Sequence, residues 1–233
     1  MNNHKLFCIP YAGGHKQIFY PLKDHINENI IVIPLELPGR GNRFKESLLS
    51  NIYDMAEDIT QQIIAYNLKS YSILGYSLGA IVLYEVYYRL KKLDVNLPTN
   101  LFFCSMESLG NDSLSSNVKN MNTKEFKSFI FQKNGTPKEI LENEELWNIF
   151  YPILKSDFMA IDSYPNKLYD NLINSNVNVF MGKDDNIEDD IYYWSNISQK
   201  AVNYNFFEGD HFFIHEDYKN LANKISEIIK NNW

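Results

Sequence analysis

The stretch SILGYSLGAIVLYEV, residues 72–86, changes character at its centre. Up to Gly75, the residues Tyr71, Ile73 and Leu74 have the apolar density of a buried strand. Beyond Ser77, Ile81, Leu83, Tyr84, Val86, Tyr87 and Leu90 recur at the spacing of a well-buried helix. Ser77 therefore falls on the turn between a strand and a helix. A turn that tight brings the backbone back against its neighbours, and glycine at 75 and 79 removes the Cβ atoms that would collide there. GYSLG fits the G-x-S-x-G nucleophile elbow, which exposes a serine hydroxyl at the edge of a sheet and aims the first amides of the next helix at whatever the hydroxyl attacks. That geometry suits acyl transfer.

Outward from the elbow, strand-like runs recur at about 5–10, 30–35, 71–75, 101–105, 177–181 and 202–207, and helical patterns at about 52–67, 78–92, 187–200 and 216–230. Strands alternating with helices predict an α/β fold: a mostly parallel sheet with helices on both faces and functional groups at the carboxyl ends of its strands. The section from about 107 to 170 breaks the alternation. Its stretches TKEFKSFIFQKN and ENEELWNIFYPILKSDFMAID carry apolar side chains at helical spacing, with Pro137 between them and Pro152 expected to kink or end the second. It reads as a helical lid inserted into a single domain, 1–233, where it would shield the chemistry from water and shape an acyl pocket.

Composition narrows the function. With 233 residues, 45% of them hydrophobic, one domain can hold a sizeable core. Net charge is −7, from 22 basic and 29 acidic side chains spread along the chain, which opposes nucleic-acid binding. No apolar run approaches the length that spans a membrane, and MNNHKLFCIPYAGG is too briefly apolar for a signal-peptide core, so a cytoplasmic protein is expected. Cys8 and Cys104 sit in the apolar runs LFCIP and LFFCS, as buried reduced thiols do. A P-loop, a dinucleotide fingerprint and an H-E-x-x-H pattern are missing, and the pair His211 and His215 has no third ligand in view. Catalysis without metal or cofactor is the expectation.

A serine hydroxyl needs a base, and histidine suits the task near neutral pH. His4, His15 and His25 precede Ser77, whereas α/β-hydrolases run in the order serine, acid, histidine. Of the late pair, His211 directly follows the strand run YNFFEGD, with Gly209 to bend its loop, and is preferred to His215. The acid should orient the imidazole and stabilise its cation. In VNVFMGKDDNIEDD the strand ends at Gly182, which puts Asp185 in the loop beyond; Asp184 beside it and Glu107 after LFFCS are alternatives. The oxyanion needs fixed N–H donors. Leu78 follows the nucleophile, and Ala12 lies in IPYAGG, where glycines permit close backbone approach.

Taken in order, CIPYAGG, LPGRGNRF, GYSLGA, GKDD and GDHFF resemble the stand-alone type II thioesterases that accompany nonribosomal peptide and polyketide synthetases, members of the α/β-hydrolase superfamily. NGTPKEILENEELWNIFYPILKSDFMAIDSY is similar to that family's lid, so the resemblance spans most of the chain. It implies a triad of Ser77, Asp185 and His211 with Ala12 and Leu78 as oxyanion donors. It also implies hydrolysis of aberrant or stalled acyl groups from the phosphopantetheine thiol of acyl or peptidyl carrier domains, the substrate itself supplying the phosphopantetheine. Arg40, Arg43 and Lys45, after the second strand, are candidate contacts to the pantetheine phosphate or an acidic carrier surface. CSMESLGND departs from the family's small Ser-Gly segment followed by proline, and Glu107 falls within it. A small-molecule carboxylesterase and a non-catalytic binding protein of the same fold are the alternative readings.

Overall fold

Six strands form where the apolar runs predict them, each within one residue of expectation at either end: β1 (His4–Ile9), β2 (Ile30–Pro34), β3 (Tyr71–Tyr76), β4 (Asn100–Cys104), β5 (Asn176–Gly182) and β6 (Asn203–Phe207). The structure, a computed structural model, describes residues 3–106, 109, 116–165, 168–185 and 189–232. Among the described residues all five strand pairings are parallel, and the order is β2-β1-β3-β4-β5-β6. Every side chain of β3 and β4 is buried, as strands covered on both faces require.

Side-chain alternation divides the interior into two cores. Phe7, Ile9, Ile73, Leu101, Phe103, Val177 and Val179 point to one face, where α1 (Ile52–Ile64) and α2 (Leu78–Lys92) pack. Leu6, Cys8, Leu74, Tyr76, Phe102, Cys104 and Phe180 point to the other, covered by α6 (Tyr218–Asn231) and by two 3-10 turns, Lys16–Phe19 and Pro21–Asp24, that the periodicity did not reveal. Both cysteines are free and buried, and burial pushes both thiols up in pKa. The pattern at 187–200 becomes a tighter 3-10 helix over Asp189–Ile197.

At the amino ends of the strands a polar ladder crosses the sheet. His4 Nε2 lies 2.8 Å from Ser72 Oγ, to which Asn100 Nδ2 donates at 3.2 Å. Asn176 and Asn232 both donate to Asn100 Oδ1, at 3.3 and 3.0 Å, and Asn203 donates to Asn178 Oδ1 at 3.1 Å.

Between β4 and β5 lie α3 (Thr123–Gln132), α4 (Lys138–Glu142) and α5 (Glu144–Ser163), packed on a small core of their own: Val118, Phe126, Ile130, Leu141, Trp147 and Leu154. Asn122 and Glu125 close a capping box at the start of α3. Pro152 does not end the second helix, which continues to Ser163. An interior proline costs about 3 kcal/mol. Burial of Trp147, Ile153 and Leu154 on α5, at roughly 1.5–3 kcal/mol for each large apolar side chain, outweighs that cost.

Candidate active site

The elbow has the geometry its glycines imply. Ser77 adopts φ 51° and ψ −111°, a conformation that an L residue holds only under constraint. A Cβ on Gly75 would stand 2.2 Å from the Gly79 carbonyl oxygen, and one on Gly79 would stand 2.3 Å from the Ile9 oxygen. No neighbour in either contact is a flexible side chain, so only glycine allows α2 to start so close to β1 and β3. The Ser77 amide is tied to the Cys104 carbonyl at 2.8 Å, which fixes the strained residue to the end of β4.

The structure brings Ser77, His211 and Asp185 into one relay. His211 Nε2 is 3.1 Å from Ser77 Oγ, and His211 Nδ1 is 3.1 Å from Asp185 Oδ2. The two loops that carry acid and base are joined through their backbones: Lys183 N donates to Phe207 O at 2.8 Å and Asp184 N to Gly209 O at 2.9 Å. Gly209 sits at φ +104°, where a side chain would be strained. Gly182 meets the Asp210 oxygen so closely that a Cβ would come within 2.1 Å of it. Asp184 is exposed and Asp185 half-buried, so of the two neighbouring acids it is Asp185 that faces the imidazole. Glu107, the other alternative, lies outside the described residues. His215 is engaged elsewhere, between the hydroxyls of Tyr11 (2.8 Å) and Tyr218 (3.1 Å), and burial lowers its pKa.

Two residues that sequence reasoning missed hold His211 in place. Its carbonyl accepts hydrogen bonds from Tyr76 Oη at 2.8 Å and from Ser105 Oγ at 2.7 Å. Tyr76 occupies a variable position of the elbow pattern, and nothing in the sequence indicated that its hydroxyl reaches across to the base's loop. Burial raises the pKa of that hydroxyl, keeping it a donor.

The expected oxyanion donors stand at the same edge of the sheet. Leu78 is the first residue of α2, so its amide has no intrahelical acceptor. Among the described residues nothing accepts from the Ala12 amide, while its turn is closed by Gly14 N donating to Tyr11 O at 2.9 Å. Two preorganised N–H groups beside a serine–imidazole pair can take up the charge of a tetrahedral acyl adduct.

Arg40 is a correction. It is 2% exposed, with its guanidinium bidentate on the fully buried Asp157 of α5, Nη1 to Oδ2 at 2.6 Å and Nη2 to Oδ1 at 2.7 Å. A side chain so enclosed cannot meet a carrier surface. Arg43 is committed to Asp58 and Glu46, at 2.7 and 2.5 Å, which raises its pKa further. Lys45 is exposed, next to Phe44, which is 63% exposed. Among the described residues no group of three or more His, Cys, Asp or Glu side chains is arranged to hold a metal ion, and no helix is long and apolar enough to cross a membrane.

A thioesterase-domain family model matches residues 4–230. The gramicidin S biosynthesis protein GrsT of Aneurinibacillus migulanus is 30% identical over 215 residues, which cover 91% of this chain and 83% of that protein. Among solved structures, ClbQ from the colibactin NRPS/PKS pathway superposes with a TM-score of 0.92 at 27% identity, covering 98% of both chains. YbtT, a type II thioesterase from the yersiniabactin NRPS/PKS pathway, shares the fold with a TM-score of 0.80 at 21% identity, over 97% of this chain and 92% of that one. An elbow serine hydrogen-bonded to a histidine on a six-stranded parallel sheet, together with a family match over almost the whole length, places the chain in the thioesterase family, in its α/β-hydrolase fold, with thioesterases of NRPS/PKS pathways among its relatives.

Proposed function

We propose that Ser77, His211 and Asp185 act as the catalytic triad of this thioesterase, and that its substrates are acyl groups stalled on the phosphopantetheine thiol of carrier protein domains. The observation that carries the reading is the continuous relay from Asp185 through His211 to Ser77, with both contacts at 3.1 Å. Ser77 Oγ attacks the thioester carbonyl carbon as its proton passes to His211 Nε2, and the new oxyanion is held by the amides of Ala12 and Leu78. Losing one such donor typically costs about 3 kcal/mol of transition-state stabilisation. Collapse of the adduct expels the thiol, which takes the proton from His211 and leaves an acyl-serine. Water then attacks that ester with His211 again as base, releasing the carboxylic acid and restoring the serine. Asp185 orients the imidazole and stabilises its cation in both halves.

The carrier partner is proposed on the chemistry of the relatives' pathways and implies work in the cytoplasm, where such synthetases operate. Of the three basic residues after β2, Lys45 is the one left exposed to meet an anionic partner. The test compares one short acyl group on a holo-carrier domain and on free pantetheine. Remote contacts to the carrier can be used to orient the thioester, so kcat/KM should be at least about tenfold higher on the carrier, or roughly 1.4 kcal/mol. Equal rates on both, with faster cleavage of the matched oxygen ester, would replace the carrier reading with a small-molecule esterase.

A further inference from the structure

The buried pair between Arg40 and Asp157 lies outside the relay, yet it holds the turn that carries Ala12. Asp157 Oδ2 accepts from the Gly13 amide at 2.7 Å as well as from Arg40 Nη1, and Arg40 Nη1 also lies 3.4 Å from the Gly14 carbonyl oxygen. Both peptide planes flanking Ala12 are restrained, one by the turn itself and the other by this pair. The Tyr11–Ala12 plane is held through its carbonyl, which accepts from Gly14 N at 2.9 Å; because a peptide is planar and trans, fixing that carbonyl fixes the direction of the Ala12 N–H. The Ala12–Gly13 plane is held through the Gly13 N–H, and its only acceptor among the described residues is Asp157.

Gly13 sits at φ +76°, the value a type II turn demands at its third residue. In such a turn the central peptide can rotate toward the type I arrangement unless its N–H is engaged. Asp157 engages it from α5. Leu154, one turn earlier on that helix, closes the other side: a Cβ on Gly13 would stand 2.4 Å from Leu154 Cδ2. Arg40 supplies the counter-charge that allows a carboxylate to be fully buried beside a site where negative charge develops.

We infer that Asp157, held by Arg40, is a positioning residue for the oxyanion hole: from helix α5 it holds the central peptide of the turn, and with it the turn conformation in which the Ala12 amide is presented. The inference rests on the proposed role of Ala12 and Ser77.

The test uses the full chain and normalises every rate to the serine titrated by a fluorophosphonate, so that a loss of folded protein lowers the titre and not the rate per site. Arg40→Met/Asp157→Leu removes both charges together, which leaves the net charge near the hole unchanged and the Gly13 amide without its acceptor; buried ion pairs often tolerate such replacement. Expected is a fall in kcat per titrated serine of at least about tenfold, KM within about threefold, and a loss of affinity for an alkyl boronic acid that parallels the loss in kcat/KM. Arg40→Leu/Asp157→Ala, which likewise removes both charges and leaves the Gly13 amide without its acceptor, should show the same pattern and is read alone if the first double variant does not fold. Ser156→Ala, which removes a neighbouring anchor of α5 to the Leu49 carbonyl, should leave kcat per site within twofold. A folded Asp157 variant with parental kcat per site and parental boronate affinity overturns the inference. If Ser77→Ala retains activity, the triad reading fails instead, and the two failures are separate.

Discussion

Gly135, in the turn after α3, lies against the Cζ end of the Phe212 ring: a Cβ on the glycine would stand 2.0 Å from Phe212 Cζ. Phe212 is the residue after His211, and its ring also packs edge-on against Tyr11 at a centroid distance of 5.2 Å. The helical segment between β4 and β5 therefore presses on the loop of the base. Gly135→Ala is expected to lower kcat/KM about five- to tenfold through displacement of that loop, with a change in Tm of only a few degrees, since both residues are half-buried and outside the main cores. Combining it with Phe212→Leu should recover most of the loss. Steady-state rates for the two single variants and the double variant measure the coupling; strictly additive effects would show that the glycine and the ring do not communicate.

Ser77 can be separated into a chemical and a conformational role. Ser77→Ala and Ser77→Gly should both abolish turnover. At φ 51° and ψ −111°, however, glycine is relieved of a strain that alanine keeps. The glycine variant should be more stable than the alanine variant by about 1 kcal/mol in urea denaturation, after allowance for its more flexible unfolded chain. Equal stabilities would mean that the elbow stores no strain at this residue.

For the acid, Asp185→Asn should lower kcat by roughly 10³–10⁴, the order seen when the aspartate of a serine protease triad is changed in the same way. Asp184→Asn, at an exposed side chain, should stay within about threefold of the parent. The reverse ranking in kcat would move the acid to Asp184.

His4 offers a pH dependence unconnected with catalysis. Burial lowers its pKa from 6.5 to about 4. The folded state thus favours the neutral ring, and its contribution is complete above pH 6.5, declines as pH falls from 6.5 towards 4, and reaches about 3 kcal/mol of lost stability once both states are protonated. Urea midpoints between pH 4 and 7 should fall less steeply in His4→Asn than in the parent, although the variant starts lower at pH 7 for want of the imidazole. Parallel slopes would remove His4 as the source.

The sequence revealed the strands because each is a short apolar run closed by turn residues, and it revealed Ser77 and His211 because a tight turn and a chain order constrain residue type. Asp185 was chosen with Asp184 and Glu107 as rivals, since adjacent carboxylates in one loop look alike in sequence; the structure puts Asp185 against the ring. Arg40 was misread for a different reason. A charged residue in a glycine-rich turn looks solvated when its partner lies 117 positions away on another element. The hydroxyls of Tyr76 and Ser105 were equally invisible, because a bond to a distant carbonyl leaves no periodic trace in sequence. The 3-10 turns at 16–24 are too short to show a helical repeat.

The polar ladder from His4 to Asn203, at the far end of the sheet from Ser77, bears on how the strands find their alignment. In a parallel sheet buried on both faces, sliding one strand by two residues, roughly 6.6 Å, restores every apolar side chain to its own face, so oily contacts alone barely distinguish the two pairings. Hydrogen bonds among His4, Ser72, Asn100, Asn176, Asn178 and Asn203 do distinguish them, because a slid strand would strand a buried amide or imidazole against carbon. The ladder works as a ruler laid across the strand beginnings. Measured from it, β3 ends at Tyr76 and hands the chain to Ser77 at the height where the loops of Asp185 and His211 arrive.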